Sequence, residues 1–318
     1  MTTVRGQFPD EQTVDGEFAR QEDAFRSHVV PESSAPFPAV AGRYHLYVSL
    51  ACPWAHRTLI VRTLKQLESV IGVSVVDPVR DERGWAFRDI PGGTIDHANG
   101  FRFLSEAYAA SMPGYRGRWT VPVLWDKVAG RIVNNSEDDI CRMLNGPFAA
   151  LAPGPTPDLF PPALAADQDA LSARIYETLN NGVYRAGFAT GQRAYERAVR
   201  RLFATLDELE VRLAQSRFLF GPEPVETDWR LFCTLVRFDA VYHGHFKCNV
   251  RRLADYPNLS AYLRDLFQLP GIATTVNFDH IKRHYYVTHT EINPTGIVPL
   301  GPVLDFLSPP GRDRRFPA

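Results

Sequence analysis

The 318-residue chain carries 35 Lys and Arg residues against 36 Asp and Glu residues, so its formal net charge is −1 at neutral pH. That balance gives no electrostatic reason to expect a nucleic acid or an anionic membrane as partner, and the length favours two domains with substantial cores. No apolar run approaches the length of a membrane span, residues 1–20 are too polar for a signal peptide, and the four cysteines are too widely spread for a disulfide framework, so we expect a reduced, cytoplasmic protein.

The N-terminal half alternates strand and helix signals. Residues 1–42 lack a clear period, and we expect them to form an extension that lies on the body of the protein. Residues 43–150 show the order β-α-β followed by β-β-α, which is the thioredoxin-like pattern. The insertion at 80–118, with a helical piece near 101–110, is long enough to suggest a function. The predicted elements are strands at 44–50, 73–79, 121–125 and 131–133, and helices at 53–68 and 136–145.

Cys52 is the residue with the clearest chemical potential. It follows the first predicted strand and precedes Pro53, which opens a helix, so it lies just outside a helix N-terminus. The amides and the positive dipole end there favour thiolate, and thiols in such positions have pKa values lowered to roughly 3.5–7.5. A dithiol motif would place its second cysteine at Ala55, so a mixed disulfide on Cys52 must be resolved by an outside thiol. The alternative is an inert structural cysteine, and His56, one helical turn on, either tunes the thiolate or packs.

Pro122 opens the third strand, where the thioredoxin-like fold carries a cis proline beside the active cysteine. We expect a cis Val121–Pro122 bond, which would leave the Val121 backbone free to pair with a peptide-like thiol. The alternative is an ordinary edge-strand proline.

The C-terminal half is predicted to be helical. Residues 151–163 are interpreted as a linker, residues 164–290 as an all-helical domain, and residues 291–318 as a tail over the surface. The strongest helical periods cover 165–180, 192–215, 228–242 and 258–268, with Thr227 as the N-cap of the third. The predicted fold class is therefore α/β plus all-α, a thioredoxin-like domain followed by a helical domain, as in glutathione transferases.

Six longer motifs indicate which family of glutathione transferases the sequence resembles. They are CPWAHR at 52–57, TVPVLWD at 120–126, RFD at 237–239, HFKCN at 245–249, DHIKRHYY at 279–286 and INPTGIVP at 292–299. In combination they resemble the glutathionyl-hydroquinone reductases, which are also called Xi-class glutathione transferases. The resemblance extends from the mid-forties to about residue 302.

The resemblance implies a two-step reaction at Cys52. The Cys52 thiolate attacks the thioether sulfur of a glutathionyl-hydroquinone, and the hydroquinone leaves after protonation. A second glutathione then releases Cys52 and forms oxidised glutathione. The implied partners are therefore glutathione as cosubstrate and an aromatic (hydro)quinone conjugate, and the family resemblance also implies a homodimer formed through the helical domain.

The family's aromatic-substrate pocket uses three tyrosines, which correspond here to Tyr184, Tyr242 and Tyr285. Tyrosine suits this role because its ring packs on an aromatic ligand and its hydroxyl can bond to or protonate it. The alternative is three core tyrosines with satisfied hydroxyls.

The resemblance also assigns residues to the bound glutathione. Trp85 corresponds to an indole that packs against the tripeptide, and Arg118 and Val121 correspond to residues that hold it. As a lone tryptophan in a long insertion, Trp85 also fits a core position.

The chain departs from the family at Ser136 and Glu137, where the usual order is Glu then Ser. In the family these two residues hold the γ-glutamyl group at a helix start. Ser136 is predicted to be the N-cap, with Asp139 at the N3 place of a capping-box-like arrangement. Three acids in the first turn, however, oppose a bound carboxylate, so we expect weaker use of glutathione and consider mycothiol as the alternative thiol.

The remaining cysteines and two histidines give weaker signals. His243, His245 and Cys248 suggest zinc, but the spacing is loose and no fourth ligand is evident, so no metal is expected. Cys141 and Cys233 lie among apolar residues of predicted helices and are expected in the core.

Two other functions remain open. One is an omega-like monothiol transferase that acts on dehydroascorbate or on glutathionylated proteins, which substrate profiling would distinguish. The other is a non-catalytic ligand-binding protein on the transferase fold, which would keep its ligand affinity in a Cys52→Ala variant.

Overall fold

The computed structural model describes residues 11–316 and divides into two compact units. The α/β unit consists of Glu22–Asp158 and Thr274–His284. The helical unit consists of Leu159–Ala273, the segment that ends at Gln21 and the segment that begins at Tyr285. Residues 1–10 of the predicted extension and residues 317–318 of the predicted tail lie outside the described residues.

The α/β unit is built on a four-stranded sheet with the strand order β2-β1-β3-β4. Its elements are β1 (Tyr44–Val48), α1 (Pro53–Leu64), β2 (Gly72–Val75), α2 (Leu104–Ser111), β3 (Val123–Asp126), β4 (Arg131–Asn134) and α3 (Glu137–Asn145). β1 pairs in parallel with β2 and antiparallel with β3, and β3 pairs antiparallel with β4. All of β1 is buried, as expected for a central strand. The arrangement confirms the predicted thioredoxin-like domain.

Two predicted elements of this unit end four residues before their predicted limits. The helix predicted to reach residue 68 ends at Leu64, because Gln66 takes a left-handed φ of 52° that a helix cannot continue through. The strand predicted to reach residue 79 ends at Val75, and beyond it the Asp77 amide donates to the carbonyl of Ala86 at 2.8 Å. The insertion therefore takes over hydrogen bonds that a longer β2 would have made.

The helical unit contains the remaining helices. They are α4 (Ala165–Ile175), α5 (Gly182–Gly187), α6 (Gln192–Leu213), α7 (Glu226–Arg237), α8 (Pro257–Phe267), α9 (Phe278–Thr288, of which the residues from Tyr285 belong to this unit) and α10 (Arg312–Arg315). α4 continues into the π-helical turn Tyr176–Asn180, and α7 continues into the π-helical turn Phe238–Tyr242. All four predicted helical periods are thus present, and the predicted helical glutathione-transferase domain is confirmed.

The prediction that Thr227 caps α7 is wrong. α7 begins at Glu226 with Val225 as its N-cap, and Thr227 is fully buried inside the helix. Its hydroxyl lies 3.0 Å from the Ser172 hydroxyl on α4, so it is used in packing between helices. At the start of α7 the carboxylate of Asp228, three residues after the N-cap, accepts the Val225 amide at 2.9 Å.

The segment 11–21 packs within the helical unit. Gly16 has a φ of 77°, and a Cβ at this position would lie 2.5 Å from the Thr190 hydroxyl oxygen, so only glycine fits without rearrangement. Phe18 is 2% exposed, and its ring centroid lies 5.4 Å from that of Phe188 at the end of α5. The segment therefore belongs to the core of this unit although the sequence shows no period there.

Candidate active site

Cys52 lies at the N-terminus of α1, as the sequence predicts. It is the N-cap residue, its side chain makes no capping hydrogen bond, and Pro53 follows as the first helical residue. The first turn of α1 contains no acidic side chain that would offset the positive end of the helix dipole. The Cys52 thiol is partly exposed and donates to the Val121 carbonyl oxygen at 3.5 Å.

The peptide bond between Val121 and Pro122 is cis, which confirms the prediction. The bond lies directly before β3, and the structure brings Val121 and Cys52 together where the two central strands, β1 and β3, meet the loops at one end of the sheet. Arg118 is partly exposed in the same loop, and its carbonyl oxygen accepts the Tyr115 hydroxyl at 3.2 Å.

The other three cysteines are buried. Cys141 and Cys233 are core residues, as predicted, and burial raises the pKa of Cys248. His56 is also buried, and its Nε2 lies 2.8 Å from the Thr275 hydroxyl, so the imidazole packs within the α/β unit. Cys52 is therefore the one cysteine of the chain with an accessible thiol.

Trp85 lies in the insertion of the α/β unit and is 4% exposed. Its indole stacks on the imidazole of His284, with centroids 5.0 Å apart and an interplanar angle of 27°. The His284 Nδ1 lies 2.8 Å from the Pro78 carbonyl oxygen, and the Arg80 guanidinium lies 5.6 Å from the indole centroid. The indole is thus held rigidly, which suits both a core position and a wall for a ligand.

Ser136 is the N-cap of α3, as predicted, but the predicted capping box does not form. The Ser136 side chain makes no capping hydrogen bond, while its amide donates to Asn134 Oδ1 at 2.7 Å. Asp139 turns instead to Arg26, whose Nη2 donates at 3.0 Å, and to the Asn134 side-chain amide, also at 3.0 Å. Burial opposes ionisation of Asp139, yet hydrogen bonds from Arg26 and Asn134 keep its pKa below the ordinary value.

All three acids of this first turn have a cationic partner. Arg57, whose side chain is 2% exposed, pairs with Glu137 at 3.1 Å and also with Asp138. Arg26 pairs with Asp139. These pairs reduce the repulsion that we expected against a bound carboxylate, so the acids alone give only a weak argument against glutathione.

The three predicted tyrosines meet in the helical unit. The Tyr184 and Tyr285 hydroxyl oxygens lie 2.6 Å apart, and those of Tyr242 and Tyr285 lie 2.9 Å apart. The Tyr242 and Tyr285 rings meet edge to face, with centroids 5.5 Å apart. We call these three residues the tyrosine cluster. The Tyr285 hydroxyl lies within hydrogen-bond distance of both others, and the Tyr184 hydroxyl also interacts with that of Tyr242. We call the three hydroxyls the hydroxyl chain.

Burial sets the protonation state of the cluster. It raises the pKa of Tyr242 and of Tyr285 well above the ordinary value, while the charge of Arg237 acts in the opposite direction. Both phenols are therefore neutral at neutral pH and can donate hydrogen bonds or a proton. Neutral phenols can serve as the proton donor that the reaction needs. Their burial also fits the alternative, in which they are core residues.

The π-helical turns place two of these tyrosines. Tyr242 is the last residue of the turn Phe238–Tyr242, and Tyr184 lies on α5, directly after the turn Tyr176–Asn180. π-Helical turns are rare and occur frequently at functional sites. The sequence shows helical periodicity through both segments and gives no sign of the change of phase.

Two neighbours of the cluster were missed by the sequence analysis as parts of this site. The His289 ring packs edge to face on the Tyr285 ring, with centroids 5.4 Å apart. Residues four apart share a helix face, so the spacing of these two residues could have indicated the contact. Arg20 lies with its guanidinium carbon 5.1 Å from the Tyr184 ring centroid, in a segment with no periodic signal.

His245, one of the residues that suggested zinc, pairs with another histidine. His245 Nε2 lies 3.2 Å from His289 Nδ1, and burial lowers the pKa of His245 to about 4, so its imidazole is neutral at neutral pH. Within residues 11–316, no three His, Cys, Asp or Glu side chains are grouped as metal ligands. In the same part of the chain, no helix combines the length and the apolarity needed to cross a membrane.

Comparisons with known proteins agree with this architecture. The chain matches the models of the glutathione S-transferase N-terminal domain over residues 51–146 and the glutathione S-transferase C-terminal domain over residues 192–265. It is 51% identical to glutathionyl-hydroquinone reductase YqjG of Escherichia coli (strain K12), over 96% of this chain and 95% of the relative. It is 50% identical to glutathionyl-hydroquinone reductase PcpF of Sphingobium chlorophenolicum, over 92% of each.

A solved structure extends the agreement to the fold. The glutathione-bound structure of YqjG, described as a glutathione transferase homologue from Escherichia coli K-12, matches with a TM-score of 0.89 at 51% identity. The match covers 96% of this chain and 100% of that chain. Sequence identity at this level over nearly the whole length of both chains establishes homology as well as a shared fold. The chain belongs to the glutathionyl-hydroquinone reductases, the Xi-class glutathione transferases.

Proposed function

We propose that this protein is a thiol-dependent reductase that removes glutathione from S-conjugated hydroquinones through a mixed disulfide on Cys52. Two relatives named glutathionyl-hydroquinone reductases, 51% and 50% identical, support this reaction class. The observation in this chain that carries the proposal is the placement of Cys52. It is a partly exposed thiol at a helix N-terminus, beside Val121, with no second cysteine in its own loop.

The reaction balances with one added thiol. The Cys52 thiolate attacks the thioether sulfur, so that a sulfur–sulfur bond forms and the bond between sulfur and the aromatic carbon breaks. The electron pair stays on that carbon, which takes a proton, and free hydroquinone leaves. The thiolate of a second glutathione then attacks the mixed disulfide, releases Cys52 as thiolate and forms oxidised glutathione.

The helical unit supplies the proton donor in this proposal. Tyr242 and Tyr285 are neutral phenols, and the Tyr285 hydroxyl lies beside both other hydroxyls of the cluster, so a proton given to the substrate can be replaced. Their rings also offer edges and faces against which an aromatic group packs. We assign the recognition and protonation of the hydroquinone to these three residues.

The thiol partner is a small molecule, and we propose glutathione rather than mycothiol. The glutathione-bound structure of YqjG supports glutathione, and the ion pairs of Arg57 and Arg26 reduce the charge conflict at α3. The residues that we propose to hold the tripeptide are Trp85, Arg118, Val121, Ser136 and Glu137.

Two further properties complete the proposal. We propose a cytoplasmic location, since a reaction that consumes a reduced thiol suits a reducing compartment. We also propose a homodimer formed through the helical unit, on the strength of the family resemblance.

The test is turnover of a glutathionyl-hydroquinone with glutathione. The wild-type protein should release one hydroquinone for each oxidised glutathione formed. Cys52→Ser should abolish this activity, because a serine hydroxyl is far less ionised than a thiol at neutral pH. Cys141→Ala, which removes a buried thiol from the same unit, is the matched control and should keep wild-type turnover.

Mass spectrometry adds an independent measurement. After treatment with oxidised glutathione, the adduct should lie on Cys52. Substantial turnover by Cys52→Ser, or an adduct mainly on the buried cysteines, would contradict the mechanism. Faster reduction of dehydroascorbate than of the conjugate would favour the omega-like alternative.

A further inference from the structure

Arg20 contacts the tyrosine cluster from outside the helices that carry it. Its guanidinium carbon lies 5.1 Å from the Tyr184 ring centroid and 5.7 Å from the Phe18 ring centroid. Its Nε donates to the Asn181 side-chain oxygen at 3.2 Å. Asn181 caps α5, and its carbonyl oxygen accepts the Tyr184 amide at 3.1 Å. One guanidinium therefore contacts both the ring of Tyr184 and the residue from which the helix of Tyr184 begins.

The segment that carries Arg20 is held in place by contacts that do not involve Arg20. The Gln12 side-chain amide donates to the Phe188 carbonyl oxygen at 3.1 Å, and Arg197 pairs with Glu17 at 3.5 Å. The Phe18 ring packs on the Phe188 ring. A substitution at Arg20 thus removes the guanidinium while the rest of the segment keeps its anchors.

A cation over an aromatic ring acts on the chemistry of that ring. The attraction between a guanidinium and the ring grows with the electron density of the ring, which increases as a phenol gives up its proton. A nearby positive charge therefore stabilises the deprotonating phenol relative to the neutral one. The charge lies over the ring of Tyr184, whose hydroxyl is 2.6 Å from the Tyr285 hydroxyl, so its effect on the acidity of Tyr184 also acts on the hydroxyl chain.

We propose that Arg20 is a positioning residue for the hydroquinone-releasing step. It fixes the orientation of Tyr184 through Asn181 and strengthens the Tyr184 hydroxyl as the donor of the proton that the aromatic carbon takes up. Tyr184, which at 8% exposure is the least buried of the three tyrosines, recovers its proton from water, and the Tyr285 hydroxyl stays beside it as a hydrogen-bond partner. This role rests on the proposed function. It gives the N-terminal segment a function that neither the sequence motifs nor the helical periodicity of the chain indicates.

The test compares two reactions in matched variants. Arg20→Gln should lower kcat for a glutathionyl-hydroquinone by about fivefold to thirtyfold, the size expected for a partly desolvated cation–aromatic contact. Its rate of Cys52 adduct formation with a small disulfide should change less than about twofold, because that reaction needs no proton donor to carbon. Arg20→Lys should recover part of the loss, since a cation remains. Arg197→Gln, which loosens the same segment without touching Tyr184, is the control and should behave as wild type in both reactions.

A double-mutant cycle with Tyr184→Phe separates the proposed role from a structural one. If Arg20 acts through the Tyr184 hydroxyl, Arg20→Gln should have no further effect on kcat in the Tyr184→Phe background. The same loss in both backgrounds, equal loss in Arg197→Gln, or equal slowing of both reactions would overturn the role of Arg20. Lack of conjugate turnover by the wild-type protein would refute the proposed function and this role together, whereas wild-type turnover with unchanged kcat in Arg20→Gln would refute this role alone.

Discussion

Replacing Tyr285 by phenylalanine removes the central hydroxyl of the tyrosine cluster. That oxygen lies 2.6 Å from one neighbouring hydroxyl and 2.9 Å from the other, so one substitution deletes two hydrogen bonds. A hydrogen bond contributes about 0.5–1.5 kcal/mol net, so the free energy of unfolding should fall by about 1–3 kcal/mol. Tyr242 and Tyr285 are 0% and 1% exposed, so water cannot easily replace the lost partner, which favours the upper part of this range.

The two outer tyrosines provide the comparison. Tyr184→Phe and Tyr242→Phe each remove one of the two close contacts of the Tyr285 hydroxyl, so each should cost less than Tyr285→Phe. Tyr184→Phe combined with Tyr285→Phe should cost less than the sum of the two single variants by about 0.5–1.5 kcal/mol, since the bond between them is lost only once. Urea denaturation followed by circular dichroism measures all four variants.

The same substitution tests the chemistry. Without the hydroxyl that hydrogen-bonds to the donor Tyr184, conjugate turnover by Tyr285→Phe should fall by about 10²-fold, the lower end of what a general acid contributes. Adduct formation on Cys52 by a small disulfide should be nearly unchanged. Small and equal effects on both reactions would mean that the tyrosines are packing residues only, and additive losses of stability would mean that they do not share hydrogen bonds in solution.

The remaining predictions concern the acids of α3 and the oligomer. Burial opposes ionisation of Asp139, but its hydrogen bonds, chiefly from Arg26, lower its pKa in the folded protein below its pKa in the unfolded chain. The carboxylate therefore stabilises the fold at a pH above the unfolded-state pKa. This contribution is lost as the pH falls through the folded-state pKa. Asp139→Asn should flatten the acid limb of stability against pH, and an unchanged limb would count against the ion pair. Glutathione should support turnover at least as well as mycothiol. Exchanging the order of Ser136 and Glu137 should raise turnover with glutathione by less than about threefold if the order of these residues affects only the start of α3. A larger gain would mean that the present order disfavours glutathione and would favour another thiol. Light scattering at micromolar concentration should give the mass of a dimer, and a monomer would refute the proposed association.

Local rules were sufficient to predict much of the α/β unit. A buried strand followed by Cys52 and Pro53 is enough to place a thiol at a helix start, because both the strand and the helix N-terminus depend on neighbouring residues. The cis bond before Pro122 followed from the same order of elements. In the helical half, each of the four segments with a strong 3.6-residue period forms a helix in the structure.

The errors arose where a distant partner outweighed the local preference. Asp139 was expected to cap its own helix, but it binds Arg26, which is 113 residues away in the sequence. Thr227 was expected to begin a helix, but its hydroxyl meets Ser172, which is 55 residues away. Arg20 bonds to a side chain 161 residues away and has no local signal at all. Short-range patterns cannot report such pairings, because tertiary contacts decide them.

The π-helical turn Phe238–Tyr242 also affects how the chain tolerates changes of length. Such a turn contains one more residue than the α-helical turn that it replaces. Deleting Ala240 would let α7 continue as a regular α-helix, which is locally favourable. In a regular α-helix the loss of one residue rotates everything after it by about 100°. Here the five residues of the π-helical turn and the four α-helical residues that would replace them both complete about one turn, so Tyr242 would keep nearly the same direction. A deletion of Ala240 should therefore disturb the hydroxyl chain less than a deletion inside a regular helix such as α6 would disturb the packing of that helix.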